Sequence, residues 1–495
     1  MQQIYAWLDT GDGLTPLNDH SQDIAMLDSV SIQWGCDDPS EQPDPSVATI
    51  RLIDRTGQLA GDFVRLSMAR LVLTMSAQPT WDDCIQYGTW GDCEWPISRL
   101  DQRWRPDTIA SGDTVALFDG IIATGGTVTR HADAWLIQVT ASSRMILWTR
   151  EQRQGPTSGD RHWTDTPAAR LAELNKRAKA IGAPLADTMD ISLPPSCASY
   201  DLNTYPSLLD LLHRLTAHDP RAPLWHDHAD GRATSISRTD LAATTDISLD
   251  DTGQAWTIGQ DGTTRPAIPS DRIRTDDDMT LTIVEPVTGV TVQGKRASKD
   301  SDGTVTFDQS DMTYTAGGLP DNLTVTQHVL TRESDAVLVD EAGGYAVWTP
   351  TTADKERMAA WIETRDRRMV PETLTIDSRD LDPAEYPWLF RPEPSGPVFA
   401  SGPSFATLAD RDGNPAASGV WTTIGGTWSF AWESGRPVIR NDVQVLPMPV
   451  ATDALPTWDD LADWPVTWDA VTLTWAQIRL ATAYHTTTIT AKETR

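Results

Sequence analysis

The residue types that could do chemistry begin with two histidines that stand two positions apart. His226 and His228 flank Asp227 in a segment whose alternation predicts a strand, so both imidazoles would lie on one face. Zinc sites use imidazoles in this way, but they need further ligands at a fixed spacing, and no such ligand follows. The segment also adjoins an Ala-Asp-Gly turn. We therefore interpret the pair as the polar end of a hairpin strand and predict no metal site here.

Two acidic loops have the staggered carboxylates that calcium prefers. They are Asp300-Ser-Asp-Gly303 and Asp410-Arg-Asp-Gly413, and Asp311 falls where the last ligand of a calcium loop would lie. That last ligand is normally glutamate, and the glycine of a calcium loop stands at a different offset. Asp-Gly is also a common hairpin turn sequence. We predict two turns, with bound calcium as the open alternative.

The sequence shows no catalytic arrangement of known spacing. It contains no Gly-x-Ser-x-Gly, no His-Glu-x-x-His, no phosphate-binding loop and no dinucleotide fingerprint. The 70 acidic residues offer many carboxylate pairs for glycoside hydrolysis, and nothing in their spacing selects one. We therefore predict no catalytic residues, no cofactor and no enzymatic activity, with a cell-wall hydrolase as the alternative.

Length and charge narrow the class of protein. The 495 residues suffice for two to four domains, and 40 basic against 70 acidic residues give a formal charge of −30. This balance excludes the basic surface of a conventional nucleic-acid or anionic-membrane binder. No apolar stretch approaches the roughly 18 to 20 residues of a membrane helix, and the first residues lack the pattern of a signal peptide. We expect a protein made in a cytoplasm, without stable membrane insertion.

Cysteine is rare in this sequence. Cys36, Cys84, Cys93 and Cys197 are too few for a disulfide scaffold and have no zinc spacing. Cys84 and Cys93 either pair in an oxidising medium or remain buried thiols.

Tryptophan is unusually frequent, with 21 Trp against 8 Tyr and 7 Phe. Exposed indoles would stack on sugar rings, whereas buried indoles would fill cores and subunit interfaces. Most of them stand beside Thr or Pro in strand or turn patterns, which favours packing. Four tryptophans near the C-terminus are candidates for an interface or a glycan contact: Trp458, Trp464, Trp468 and Trp475.

Hydrophobic periodicity predicts five segments. Residues 1–155 show short alternating strands, including one over 64–74, and indicate a first β-barrel domain. Residues 156–250 predict a small α+β insert with helices at 168–181 and about 206–218 and a hairpin at 223–238. Residues 251–395 predict a second β-rich domain with one helix at about 352–369. Strands in 396–449 would complete a second barrel, and 450–495 is a Trp-rich C-terminal segment. The predicted fold class is mainly β with α+β inserts.

Several short motifs occur in a characteristic order. They are Val30-Ser-Ile-Gln-Trp-Gly35, Gln42-Pro-Asp-Pro-Ser46, Ala48-Thr-Ile-Arg-Leu-Ile-Asp54, Phe118-Asp-Gly-Ile-Ile122, Leu136-Ile-Gln-Val-Thr-Ala141, Thr423-Ile-Gly-Gly426, Val443-Gln-Val-Leu446 and Pro456-Thr-Trp-Asp-Asp-Leu461. Their order resembles the tail-tip hub, a minor tail protein family of long-tailed actinobacteriophages that is similar to phage baseplate hub proteins.

The resemblance implies a virion structural protein that closes the distal end of a siphophage tail tube. It implies two β-barrel domains of tail-hub type in each chain and a homotrimer whose six barrels form a pseudo-sixfold ring. The implied partners are the distal tail protein, the tape measure protein and other tail-tip or receptor-binding proteins, while genome DNA passes through the lumen only transiently. Two alternatives remain, namely a hexameric distal tail protein and a Trp-rich carbohydrate-binding adhesin that contacts host cell-wall glycans.

Overall fold

The computed structural model describes most, but not all, of the chain. The described residues are 2–18, 25–37, 42–77, 114–122, 126–151, 166–186, 191–199, 206–220, 224–236, 246–250, 255–258, 264–266, 268–269, 272, 281–283, 287–315, 329–364, 369–371, 373–383, 385–394, 397–401, 420–447 and 490–492.

The described chain is mostly β-strand, as predicted. The strands are β1 (Gln2–Asp9), β2 (Thr15–Pro16), β3 (Met26–Gly35), β4 (Val47–Asp54), β5 (Arg70–Ala77), β6 (Thr114–Ile122), β7 (Thr127–His131), β8 (Ala134–Ser143), β9 (Leu224–Asp227), β10 (Ala233–Ile236), β11 (Asp246–Asp250), β12 (Ala255–Ile258), β13 (Thr264–Pro266), β14 (Ile268–Pro269), β15 (Leu281–Ile283), β16 (Gly289–Lys299), β17 (Val305–Thr315), β18 (Val329–Asp340), β19 (Met369–Pro371), β20 (Leu374–Asp377), β21 (Pro397–Ser401), β22 (Val420–Glu433), β23 (Arg436–Pro447) and β24 (Thr490–Lys492).

Helices are few and short. They are α1 (Gln58–Gly61), α2 (Ile146–Arg150), α3 (Pro167–Ala180), α4 (Leu208–Thr216) and α5 (Thr352–Thr364), with 3₁₀ helices at Phe63–Leu66 and Pro387–Phe390. In the described part of the chain, no helix is both long and apolar enough to cross a membrane.

Thirteen strands form the main sheet. Its order is β14-β21-β22-β3-β4-β8-β6-β5-β1-β2, while β23 pairs with β22 and β20, and β7 pairs with β8. Among the described strands these pairs form a branched path that does not close on itself. The two predicted barrel domains therefore stay a prediction, as do the predicted domain boundaries.

The main sheet joins segments that are almost 400 residues apart in the sequence, because β3 (Met26–Gly35) pairs with β22 (Val420–Glu433) along seven residues. The two strands lie close together at Gly35, which has a φ of 72°; a Cβ at this position would lie 2.2 Å from the Ile424 carbonyl oxygen. Only glycine fits such an approach with a positive φ. The Gly35 position therefore helps to set how β3 and β22 meet.

The largest cluster of buried side chains belongs to this sheet and contains residues from distant parts of the sequence, between Ile4 and Val445. Ile4, Ile50 and Leu71 lie in it beside Phe390 and Trp428, all of them at most 1% exposed. The Trp428 indole donates a hydrogen bond to the Phe390 carbonyl oxygen at 2.9 Å, so its one polar atom is satisfied inside the cluster. Burial of these apolar side chains is the main term that stabilises the sheet.

The predicted α+β insert is confirmed in its elements. Helix α3 begins after Thr166, whose hydroxyl accepts a hydrogen bond from the Ala169 amide, and Pro167 occupies its first turn. Helix α4 begins at a capping box in which Ser207 and Asp210 each accept a hydrogen bond from the other's backbone amide. Strands β9 and β10 form the predicted hairpin.

A second, three-stranded sheet has the order β17-β16-β18, and α5 packs on one face of it. Met358, Trp361 and Ile362 of α5 are buried against this sheet. The predicted helix end at 369 is wrong, because Met369 begins β19, which pairs with β15. The pairing of β19 with β15 takes Met369 into a strand, and Pro371 also disfavours helical backbone at Val370.

The predicted strand over 64–74 is also wrong in its first half. Residues Phe63–Leu66 form a 3₁₀ helix, Met68 has a φ of 67°, and the strand begins only at Arg70. Leu66 and Ala69 are buried in the main cluster from this irregular segment. The apolar residues of 64–69 thus reach the core without the alternation of a strand.

Candidate functional site

The predicted polar end of the hairpin lies at a junction between the α+β insert and the main sheet. The Asp227 carboxylate accepts a hydrogen bond from the Ser46 amide at 2.6 Å and another from the Ser143 hydroxyl at 2.6 Å. The backbone amide of Trp225 donates to the Gln42 side-chain oxygen at 3.0 Å. These contacts attach β9 to the loop before β4 and to the end of β8.

A buried carboxylate lies at the centre of the same junction. The Asp119 side chain is 3% exposed and receives two hydrogen bonds from Arg70, at 3.0 and 2.7 Å. Arg144 donates a third hydrogen bond to Asp119 at 2.9 Å and a further one to the Gly182 carbonyl oxygen at 2.8 Å. The hydrogen bond to Asp119 is also the main reason why the pKa of Arg70 is raised. Asp119, which lies in β6, is thus linked to β5 through Arg70 and to the end of β8 through Arg144. Arg144 in turn binds the residue Gly182, which follows α3.

The hairpin turn approaches this ion-pair cluster closely. Gly231 has a φ of 84°, and a Cβ there would lie 2.9 Å from Arg144 Cδ and 3.0 Å from Asp119 Cγ. Glycine is therefore required both by the backbone conformation and by the small distance.

The two histidines do not share a ligand position. His226 Nδ1 lies 2.9 Å from the Asp227 carbonyl oxygen, and burial lowers the pKa of His226. His228 Nδ1 lies 3.0 Å from the Asp230 carboxylate, and this hydrogen bond raises the pKa of His228. His228 Nε2 lies 4.0 Å from Glu393, so the hairpin also faces the loop after Pro387–Phe390. Within the described residues, no group of three or more His, Cys, Asp or Glu side chains is placed to hold a metal ion.

A second ion-pair cluster lies where β20 meets β23. Asp377 is fully buried and accepts hydrogen bonds from Arg379 and from Arg440. Burial alone would raise the pKa of Asp377, but these hydrogen bonds lower it to about 2. Glu433 binds the same two arginines from β22. The cluster therefore ties three strands through charged groups.

The remaining predicted sites have the following positions. The loop at Asp300 is a hairpin turn, as predicted: its carboxylate accepts hydrogen bonds from the amides of Asp302 and Thr304, and Gly303 has a φ of 83°. Asp311 lies in β17, away from that turn. Cys36 and Cys197 are buried thiols, and burial raises the pKa of Cys197 to about 11. The other predicted features lie outside the described residues: the 410–413 loop, Cys84, Cys93, Trp458, Trp464, Trp468 and Trp475.

The sequence analysis did not single out Asp119, Arg144 or Asp377. One signal was present for Asp119, since a charged residue in the apolar run Leu117-Phe-Asp-Gly-Ile-Ile122 must find a partner if it is buried. The partners themselves come from distant parts of the chain, so local spacing could not identify them.

The chain was compared with known proteins by sequence and by structure. No protein-family model matches it, and no curated protein matches it by sequence. Among solved structures it is similar to the 43 kDa tail protein of prophage MuSo2 from Shewanella oneidensis, with 9% identity, a TM-score of 0.42, and coverage of 89% of this chain and 98% of that one.

Two further tail proteins are similar at the same level. The tail protein from Neisseria meningitidis MC58 shares 10% identity at a TM-score of 0.40, over 89% of this chain and 96% of that chain. The prophage tail protein gp18 from Listeria monocytogenes EGD-e shares 11% identity at a TM-score of 0.37, over 89% and 94%. At TM-scores below 0.5, these similarities do not establish a function for this chain.

Proposed function

We propose that the chain is a structural protein of a phage tail, and specifically the tail-tip hub of a siphophage. The observation that carries the proposal is where its motifs lie. The motifs beginning at Val30, Ala48, Phe118, Leu136, Thr423 and Val443 lie on β3, β4, β6, β8, β22 and β23, which are all strands of the main sheet. Segments that resemble one family in sequence thus form a single structural unit here.

The junction between the insert and the main sheet also supports a mechanical role. Asp119 and Asp227 receive hydrogen bonds from fixed donors on several elements, an arrangement that anchors these elements to one another. Charge-assisted hydrogen bonds of this kind resist separation better than neutral ones. A tail component must keep its shape while DNA passes, and a sheet that pairs β3 with the distant β22 suits that task.

The proposal includes the finer features that the resemblance implies. Each chain contributes two barrel domains, three chains form a ring, and the ring contacts the distal tail protein, the tape measure protein and other tip proteins at the virion tail tip. The chain acts without enzymatic activity of its own. The formal charge of −30 supports an acidic lumen that would repel DNA phosphates during passage.

Negative-stain electron microscopy of the purified protein, alone and with the neighbouring tail proteins, tests this proposal. We expect class averages of a ring with a central hole and threefold or pseudo-sixfold symmetry. True sixfold symmetry would replace the hub by the hexameric distal tail protein. Particles that stay single even in the presence of the neighbouring proteins would contradict a tail role.

A further inference from the structure

Among the described strands, β7 and β17 each lie at the edge of a sheet. Among the described residues, β8 is the only partner of β7, and β16 is the only partner of β17. An unpaired edge exposes a row of amide and carbonyl groups that can bind another chain.

Two other strand segments in the described chain have their free side covered. Along β1, the Asn18 side chain donates to the Ile4 carbonyl oxygen at 2.7 Å and accepts from the Ala6 amide at 2.9 Å, so it takes the place of a neighbouring strand. Along β18, the segment around Cys197 forms an isolated bridge with Ala336. Proteins commonly protect edges in such ways.

The hairpin turns determine which backbone groups face outward. In an antiparallel pair, every second residue directs its amide and carbonyl away from its partner strand. The Asp300 amide bonds to the Thr304 carbonyl oxygen at 3.0 Å, and alternation from this pair turns the backbone groups of Gln309, Asp311 and Thr313 outward. On β17 these residues therefore form the free edge.

The same argument applies to β7. His131 and Ala134 flank the two-residue turn and form the bonded pair that closes the hairpin. Alternation then turns the backbone groups of Val128 and Arg130 outward. The free edge of β7 is therefore made by these two residues.

The two edges carry opposite charges. On β17, Asp308 and Asp311 are exposed and no basic residue occurs. On β7, Arg130 is exposed and no acidic residue occurs. Pairing two β17 strands would bring four carboxylates into one ladder, whereas pairing β17 with β7 sets opposite charges side by side.

We propose that β17 of one copy of this chain pairs with β7 of a second copy. The outward groups match in an antiparallel register that places Asp311 opposite Arg130 and Thr313 opposite Val128. The contact uses different surfaces on the two copies, so repetition gives a closed ring or an open chain of copies. It extends beyond the proposed function, and it can fail while the tail assignment stands.

Charge reversal with mass photometry of the purified full chain tests the contact. Asp311→Arg and Arg130→Asp each place like charges opposite one another, and we expect each variant to associate roughly tenfold more weakly than the wild type. The double variant restores the attraction and should recover most of the assembly. Asp302→Arg changes the same charge at the exposed hairpin tip and should assemble like the wild type.

Disulfide trapping identifies the strands. We expect Arg130→Cys with Asp311→Cys to form crosslinked copies on mild oxidation, while each single cysteine and the pair Arg130→Cys with Asp302→Cys do not. Efficient crosslinking of Asp311→Cys alone would replace the proposal by pairing of two β17 strands. A wild type that stays monomeric, or a double variant no better than the single ones, would overturn it. The tail role is judged separately, by assembly with the neighbouring proteins.

Discussion

The carboxylate of Asp119 connects parts of the chain that local sequence keeps far apart. It lies in β6, its two arginine partners come from β5 and from the residue after β8, and one of these arginines reaches the end of α3. A buried charge of this kind is stable only while its partners are in place. Removal of Asp119 would therefore leave both arginines at the junction without their carboxylate partner.

We predict that Asp119→Asn lowers the free energy of unfolding by about 3 kcal/mol, because it leaves Arg70 and Arg144 without the charge that compensates them. Urea unfolding followed by tryptophan fluorescence measures the loss. The matched control is Asp28→Asn, which breaks the exposed ion pair with Arg51 and should cost less than about 1 kcal/mol. If both variants lost equally little free energy of unfolding, the Asp119 cluster would contribute no more to stability than an exposed ion pair.

The sequence predicted the hairpin that contributes to this site, but it did not predict the roles of Asp119 and Asp227. It placed His226 and His228 at the polar end of a hairpin strand, and the structure has them there. Asp227, the residue between them, makes the contacts to the main sheet. Local spacing predicts which face of a strand a side chain occupies, but it does not predict which distant element meets that face.

At the scale of elements, the close approach of β3 and β22 is governed by glycine. We predict that Gly35→Ala destabilises the fold by several kcal/mol, since the new Cβ would lie 2.2 Å from a backbone oxygen that cannot move without breaking the ladder. Thermal unfolding by circular dichroism measures this effect.

Gly303→Ala is the control for backbone strain alone. Gly303 also has a positive φ, of 83°, but no heavy atom lies within 4 Å of its added Cβ. We expect this variant to lose about 1 kcal/mol. If Gly35→Ala and Gly303→Ala were equally stable, a Cβ would fit between β3 and β22, and the short distance at Gly35 would not limit the residue type there.

Element ends were predictable where a capping residue specifies them. The start of α3, predicted at 168, lies one residue from the observed start, where Thr166 caps the helix, and the start of α4, predicted at about 206, lies two residues before the observed start after Ser207. The end of α5 was not predictable from its own periodicity. The segment after it pairs with β15 as β19, and that pairing outweighs the helical pattern of the preceding residues.

At the scale of the whole molecule, the largest core combines residues of the first 150 positions with residues between 374 and 445. We predict that residues 1–155 alone will not unfold cooperatively, because β3 loses its partner β22 and the cluster loses Trp428 and Phe390. The same fragment joined by a flexible linker to residues 374–447 should regain a cooperative transition. Differential scanning calorimetry of both fragments measures this, and a sharp transition for 1–155 alone would establish it as an independent domain.

The pairing of β3 with β22 also affects folding during synthesis, because the two strands are made at different times. The ribosome adds roughly 5 to 20 residues per second, so β22 emerges on the order of 20 to 80 s after β3. During this interval the edge of β3 and the apolar side chains beneath it have no native partner. Nascent copies made side by side on one messenger would expose the same edge together, which gives chaperones a defined period in which to act. The topology of the sheet thus makes the speed of translation a factor in the yield of folded protein.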